Sequence, residues 1–189
     1  MKTPLFPTNA ILCPQGRIPL QVFEPRYLDM VSHCLKTDSE FVLVMEKSGV
    51  SDQDFYRVGT LAKIVDFGAV EQEGVISITA EGHSQVELSH IEQQDDGLWL
   101  SDINPQRLEE YVDLPKKYEE LKAVLKALVQ HPFVQDLNMD IDYLDSRQIG
   151  WRLTELLPFE GSQKQSLYEM KDCLSRLETI SKHLSEMVE

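Results

Sequence analysis

The feature that most constrains the fold is a change in the spacing of apolar residues near Pro105. Before this residue, apolar and polar residues alternate, as in segment 17–23, which is typical of half-buried β-strands. After it, apolar residues recur about every 3.6 residues, as expected for amphipathic helices. We place the junction within residues 104–114 and predict an α+β protein with two domains. These are a β-rich unit over residues 1–110 and an α-helical unit over residues 111–189.

The β-rich unit contains several candidate strands. They cover residues 17–23, 41–45, 58–67, 75–80, 85–88 and 98–100. The polar, glycine-bounded segment 68–74 joins two of them and predicts a long hairpin. One helix interrupts the strands, and Pro25 lies in its first turn. Its predicted apolar stripe consists of Leu28, Val31 and Leu35.

The helical unit shows helix patterns with recognisable starts. One helix follows Pro115. Another begins at Asp145, which is spaced to form a capping box with Gln148. A third begins at a similar box of Ser162 and Gln165. Its pattern runs for roughly 25 residues, which predicts a single long terminal helix.

That last helix is amphipathic. Its apolar seam comprises Leu167, Met170, Leu174, Leu177, Leu184 and Val188. Asp172 and Arg176 are four positions apart, as are Glu178 and Lys182, and such pairs stabilise exposed helix faces. We therefore expect the seam to be buried and these charges to lie in solvent.

The charge balance excludes several classes of partner. The chain carries 32 acidic and 18 basic residues, so its formal net charge is −14. Such a chain repels nucleic-acid phosphates and acidic membrane surfaces. It has no apolar run near the roughly 20 residues that span a bilayer and no signal-peptide pattern. We therefore expect a cytoplasmic protein with no DNA and no membrane partner.

Cysteine and motif patterns argue against catalysis. Cys13, Cys34 and Cys173 are odd in number and widely spaced, which predicts free, mostly buried thiols. The sequence has no P-loop, nucleophile elbow, S-x-x-K or H-E-x-x-H motif. His83 and His90 are an odd number of positions apart, so a regular strand would point them to opposite faces. We predict no enzyme, no metal and no cofactor. A hydrolase or transferase whose site no motif reveals stays open as a further alternative.

One segment carries a resemblance to a known family. Residues 5–31 read LFPTNAILCPQGRIPLQVFEPRYLDMV, which is similar to the start of the Lon protease N-terminal domain. The most specific part is Phe23-Glu24-Pro25-Arg26-Tyr27. Further matches are segments 58–62, 81–82, 156–159 and 164–165. Many members carry an Arg and an aromatic residue after the glycine, in the pattern G-x-x-R-F, whereas Gly82 is followed here by His83-Ser84-Gln85-Val86. Cys13 replaces a common Phe.

The resemblance implies a PUA-like β-barrel followed by an α-helical bundle. In full-length Lon this domain recruits polypeptides to an ATPase ring and a Ser-Lys protease. Neither of those has a counterpart in this sequence, which therefore resembles a standalone member without the ATPase and protease domains. The implied function is non-enzymatic binding of unfolded or apolar polypeptide segments in protein quality control, with a protease acting in trans as a further partner.

The candidate peptide-binding residues are the aromatic and charged members of the motif and two tryptophans. They are Phe23, Glu24, Arg26, Tyr27, Trp99 and Trp151. Core packing is the alternative for the aromatic residues, and capping or local pairing is the alternative for Glu24 and Arg26.

Two further functions stay open. PUA-like barrels elsewhere bind RNA, which here would require a cluster of cations despite the acidic charge. Those cations are Arg17, Arg26, Arg57 and Lys63. The chain could also serve as a scaffold for a dedicated protein partner. An apolar groove, a basic stripe or a deep polar pocket on the surface would discriminate among these functions.

Overall fold

The chain folds into a mixed β-sheet followed by helices. The computed structural model describes residues 2–47, 54–69 and 73–188. It divides into two compact units, Met1–Arg107 and Leu108–Glu189, and the predicted boundary after residue 110 lies close to this division. The fold class is α+β, as the change of apolar spacing predicts. Within the described ranges, no helix has the length and apolar character needed to cross a bilayer.

In the part of the first unit that the structure describes, a six-stranded sheet is accompanied by one helix. Its elements are β1 (Thr3–Thr8), β2 (Arg17–Val22), α1 (Pro25–Thr37), β3 (Phe41–Met45), β4 (Val58–Ala69), β5 (Ile76–Gln93) and β6 (Trp99–Pro105). The strand order is β2-β5-β4-β3-β1-β6, and among the strands of the described ranges only β1 and β3 pair in parallel. β5 also pairs with β6. The row of paired strands that runs from β5 through β4, β3 and β1 to β6 therefore leads back to β5.

β1 is the strand that the sequence analysis did not predict. It contains Pro4 and Pro7, which normally argue against an inner strand. β6 pairs with its first half, Thr3 to Leu5, and β3 pairs with its second half, Leu5 to Thr8. Among the described residues, each half therefore pairs mainly on one side, and a missing backbone N–H is tolerated on the other.

Strand β5 is longer than predicted. β5 is one strand of 18 residues where two short segments, 75–80 and 85–88, were predicted. β4 pairs with it in antiparallel fashion from Val58 opposite Glu87 to Ala69 opposite Ile76. In the predicted linker 68–74, residues 70–72 lie outside the described ranges.

The buried face of α1 differs from the predicted stripe. Tyr27, Met30, Val31 and Cys34 are buried, at the spacing of one helix face. Leu35, predicted to be apolar core, is 42% exposed. The aromatic ring of Tyr27 decides this orientation because it packs against Phe6 in the core, with 4.6 Å between ring centroids.

The second unit consists of helices around one apolar core. A 3₁₀ turn at Lys116–Tyr118 leads into α2 (Glu119–Val129), followed by α3 (Pro132–Gln135), α4 (Ser146–Leu156), α5 (Gly161–Glu169) and α6 (Cys173–Val188). Its fully or nearly buried core residues are Tyr118, Leu121, Leu125, Ile149, Leu153, Leu157, Phe159, Leu167, Leu177 and Ile180. Cys13, Cys34 and Cys173 are all buried, and none of these three described thiols forms a disulfide, as predicted.

The predicted single terminal helix is wrong. α5 ends at Glu169 and α6 begins at Cys173. α6 has its own N-terminal cap because the Asp172 carboxylate accepts the backbone N–H of Ser175 at 2.7 Å. The box that starts α5 is formed by Glu160 and Gln163, two positions before the predicted one.

The predicted solvent position of Arg176 is also wrong. This side chain is 0% exposed and pairs with Glu109, not with Asp172. Arg176 also donates to the carbonyl oxygens of Leu167, at 2.8 Å, and Met170. It therefore bonds carbonyls at the C-terminal end of α5, which have no partner within that helix.

Two other predicted local pairs have different partners. The Asp145 carboxylate caps α4 by accepting the backbone N–H of Arg147 at 2.9 Å. Gln148 accepts the N–H of Asp142 and not that of Asp145, so the predicted capping box is absent. Glu178 lies in solvent as predicted, but the side chains that donate to its carboxylate are those of Tyr118, at 2.8 Å, and Lys117, at 3.1 Å.

Candidate functional site

Two charged candidates of the family-like motif hold the start of α1 in place. Glu24 lies just before the helix in an extended conformation, and Pro25 occupies the first turn. The guanidinium of Arg26 pairs with the Glu24 carboxylate at 2.6 Å. It also donates to the carbonyl of Gly97, at 3.1 Å, in the turn before β6. These contacts give both residues a positioning role at the helix N-terminus.

Tyr27 belongs to the core of the first unit. Its ring is buried against Phe6, and the Arg26 guanidinium lies 4.9 Å from its centroid. Burial raises the pKa of the Tyr27 hydroxyl above its ordinary value. A polypeptide on the surface would find little of this side chain to contact.

Phe23 is the aromatic candidate that lies open to solvent. It follows the last residue of β2 and is 63% exposed. β2 and β4 both run antiparallel to β5 and end at the same end of the sheet, because Val22 and Ala69 are both opposite Ile76. β4 exposes Phe67 near this end. We call the exposed side chains of Phe23, Val65 and Phe67 the apolar sheet end.

The sequence analysis did not single out two of these three residues. Phe67 is 66% exposed and Val65 is 43% exposed. Both lie in segment 58–67, for which the sequence predicts only a strand, so nothing local marked them as open to solvent. A pattern can show which residues share a strand face, but not whether another element covers that face.

The two tryptophans pack against other side chains of their own units. Trp99 is half-buried, and its ring meets Phe55 edge to face with 5.8 Å between centroids. Trp151 is buried in α4, where the Arg176 guanidinium lies 5.8 Å from its ring centroid. Trp151 belongs to the second unit, whereas the other five candidates belong to the first.

The cations needed for an RNA site are mostly neutralised by carboxylates. Arg17 pairs with Glu81 at 2.7 Å, and Lys63 pairs with Asp38 at 2.8 Å. Arg26 pairs with a carboxylate of its own motif, as described above. A phosphate backbone would have to compete with each of these acids.

A cleft of about 540 Å³ lies near the start of β3. Its lining includes Lys63 and Asp38, which pair with each other, and His83, which pairs through Nδ1 with Glu40. His83 thus has a polar partner in this cleft. Across the described residues, no group of three or more His, Cys, Asp or Glu side chains could hold a metal ion.

Comparison with known proteins identifies the family. The family model of the ATP-dependent protease La (LON) substrate-binding domain matches residues 2–186. The chain belongs to the Lon substrate-binding domain family. This confirms the resemblance seen in residues 5–31 and in the further matches up to residue 165.

Individual members of the Lon family show the same relationship. Lon protease 1 of Bdellovibrio bacteriovorus is 27% identical over 152 residues, which are 78% of this chain and 18% of that protein. This chain thus spans less than a fifth of that relative. The crystal structure of a Lon N-terminal domain protein from Xanthomonas campestris has a TM-score of 0.78 and 28% identity, covering 96% of this chain and 98% of the other.

A more distant Lon structure shares the fold. The N-terminal domain of Mycobacterium avium complex Lon protease has a TM-score of 0.63 at 15% identity, covering 95% of this chain and 96% of the other. The α+β arrangement of the Lon substrate-binding domain is therefore kept although most side chains differ.

Proposed function

We propose that this chain is a non-enzymatic module that binds exposed apolar segments of unfolded polypeptides and serves protein quality control. The observation that carries the proposal is the match of a substrate-binding domain model to residues 2–186. The acidic charge supports it as well, because it disfavours nucleic acids and tolerates apolar or basic peptides.

The apolar sheet end is the contact surface in this proposal. Large apolar side chains that stay in solvent are the groups that gain most from contact with another apolar chain. Among the predicted peptide-binding residues, Phe23 has this exposure. Glu24 and Arg26 act by fixing the start of α1 beside it, and Tyr27, Trp99 and Trp151 contribute through packing.

The finer description of the fold belongs to the same proposal. A PUA-like barrel is supported by the succession of paired strands that returns to β5. A C-terminal helical bundle is supported by the single apolar core to which α2, α4, α5 and α6 contribute.

The delivery of bound polypeptides to a protease in trans is a further part of the proposal. Its support is the kinship with Lon protease 1, of which this chain matches 18%. Because the sequence carries no nucleotide-binding or peptidase motif, we expect the purified chain neither to hydrolyse ATP nor to cleave casein. Turnover that survives removal of contaminating enzymes would contradict this expectation.

The test is a titration with a polypeptide that cannot fold. Fluorescently labelled, reduced and carboxymethylated α-lactalbumin is the probe, and native α-lactalbumin is the control. Anisotropy at low and high salt should give similar affinities, since apolar contacts are little screened by ions. Single-stranded RNA should bind weakly, and any binding should fade steeply with salt.

A matched pair of variants locates the binding surface. Phe23→Ala should weaken binding of the unfolded probe by about tenfold, the range of an aromatic contact residue. Phe133→Ala removes another exposed aromatic ring, in the second unit, and should leave the affinity unchanged. Tight, salt-sensitive RNA binding without polypeptide binding would replace the proposal by an RNA function. Binding of neither would favour a dedicated folded partner.

A further inference from the structure

Part of the outer edge of β4 pairs with no other strand among the described residues. β3 pairs with β4 only over Thr60, Leu61 and Ala62. From Ile64 to Ala69, β4 pairs with β5 on one side, and no strand within the described ranges pairs with the other. Alternate backbone N–H and C=O groups of this segment therefore point away from β5.

One hydrogen bond shows which backbone groups face outward. The N–H of Phe67 donates to its neighbour's carboxylate, Asp66 Oδ1, at 2.9 Å, and is therefore not used by β5. In an antiparallel strand, the N–H and C=O of one residue point to the same side. Phe67, and by alternation Ala69, present these groups to the open edge. Because Asp66 is exposed, an incoming carbonyl can replace its carboxylate on this amide.

The surroundings of this edge are open. The exposed side chains of Val65 and Phe67 flank it. A methyl group built on Gly68 would meet no atom within 4 Å. A β-bulge between Ile64 and Asp66 places Val65 outside the regular register. No described element of the unit covers this segment, so an extended chain has room to lie alongside it.

The charge around the edge selects the kind of chain. The sequence has no Lys or Arg between Lys63 and Arg107. Asp66 and Glu73 are both exposed at this end of the β4–β5 pair. A segment with basic residues beside its apolar ones would therefore be favoured over an acidic one.

We propose that residues 64–69 of β4 bind an extended polypeptide segment by strand addition. Backbone hydrogen bonds from Phe67 and Ala69 would hold the segment, and Val65 and Phe67 would contact its apolar side chains. Asp66 and Glu73 would favour flanking Lys or Arg. The inference rests on the proposed polypeptide-binding function and gives it a backbone-directed mode, which accepts many sequences because every chain has the same main-chain groups.

The probe is a fluorescein-labelled peptide with a central Val-Thr repeat and two Lys at each end. N-methylation of alternate residues removes the donors of one peptide edge only. In the isomer methylated on the edge that faces β4, affinity should fall about three- to tenfold for each hydrogen bond lost. The isomer methylated on the opposite edge should bind like the unmodified peptide. Equal binding of all three peptides would overturn strand addition.

Two substitutions at one position give the matched test in the protein. Phe67→Ala removes the ring and keeps the backbone N–H, whereas Phe67→Pro removes both. Phe67→Pro should bind the peptide about fivefold more weakly than Phe67→Ala, with circular dichroism used to verify that both fold. Equal affinities would contradict the proposal. If Phe67→Pro does not fold, strand addition is tested by the affinities of the methylated peptides for the natural protein.

The charge preference has its own variant. Asp66→Asn keeps an acceptor for the Phe67 amide and removes the charge. It should weaken the lysine-flanked peptide and strengthen a glutamate-flanked one, and no change in either would contradict the predicted selectivity. If the natural protein binds unfolded α-lactalbumin while methylation has no effect, the β4 edge is the wrong site and the proposed function stands. If it binds no polypeptide, both fail.

Discussion

Arg176 and Glu109 form a two-pronged ion pair inside the second unit, although 67 positions separate them in the sequence. Nη1 of Arg176 donates to Glu109 Oε2 at 3.0 Å, and Nη2 donates to Oε1. The same guanidinium donates to carbonyls at the end of α5. It therefore ties the segment before α2 to the junction between α5 and α6.

Glu109→Ala should destabilise the protein by about 3–5 kcal/mol, because it leaves the buried Arg176 charge without its carboxylate. Urea unfolding followed by circular dichroism measures the free energy of unfolding. Glu120→Ala removes an exposed carboxylate of α2 and should cost less than about 1 kcal/mol. Stability losses of equal size in the two variants would show that the buried ion pair stabilises the protein no more than an exposed carboxylate does.

Leu177→Ala should cost about 2–5 kcal/mol, since this side chain is fully buried in the helical core and its loss leaves a cavity. Met187→Ala, at an exposed position of the same helix, should change stability by no more than about 0.5 kcal/mol. The midpoints of urea denaturation compare the two variants. A loss below about 0.5 kcal/mol for Leu177→Ala would mean that the seam of α6 is not core.

Gly82→Ala should lower the free energy of unfolding by about 1–3 kcal/mol. A Cβ at this position in β5 would collide with the carbonyl oxygen of Cys13, which is backbone and cannot rotate away. The approach is close because the N–H of Gln15 donates to the Gly82 carbonyl at 2.7 Å and the Gly82 N–H donates to Gly16 at 3.0 Å.

The matched control for Gly82 is Gly68→Ala, where an added methyl group meets open space. This variant should be neutral or stabilising by up to about 1 kcal/mol, because alanine restricts the unfolded chain. Thermal unfolding of both variants gives the comparison. Similar melting temperatures would contradict the argument from close approach.

Asp172→Ala should cost about 1 kcal/mol at neutral pH through loss of the α6 cap. The hydroxyl and backbone N–H of Ser175 stabilise the charged carboxylate and hold the pKa of Asp172 below its ordinary 3.8. A lowered pKa means that this stabilisation is present above pH 3.8 and is lost as the pH falls through the value of the folded protein.

The pH dependence separates charge from hydrogen bonding at this cap. Asp172→Asn keeps an acceptor oxygen but has no charge to lose. The stability difference between the natural protein and Asp172→Asn should therefore shrink as the pH falls below 3.8. Urea midpoints over an acidic pH series measure it. A difference that stays constant would show that the charge does not matter.

The family and the class of fold could be predicted because their signals are local. The change of apolar spacing near Pro105 reflects the different periods at which side chains return to the same face of a strand and of a helix. Each period can be seen within the sequence of a single element. Pro25 marks the start of α1 through its own fixed φ angle and missing N–H. Residues 5–31 carry enough family-specific positions to identify the Lon domain.

The exposure of the candidate residues could not be predicted from the sequence, for a physical reason. Phe23, Tyr27 and Trp151 are all aromatic, and the sequence offers the same arguments for each. The structure leaves Phe23 exposed and buries the other two. Burial depends on which distant segments pack over a side chain, and no local pattern records that.

The sequence by itself determined the two kinds of secondary structure, the free thiols and the family. Only the tertiary structure decided that Arg176 is a buried connector, that β1 is an inner strand and that no described strand pairs with the outer edge of residues 64–69 of β4. Each of these depends on partners far away in the chain: Glu109 for the arginine, and strands β3 and β6 for β1. Hydrogen bonding and burial are satisfied across space, so residues with the same local pattern end in solvent or in the core according to what packs against them.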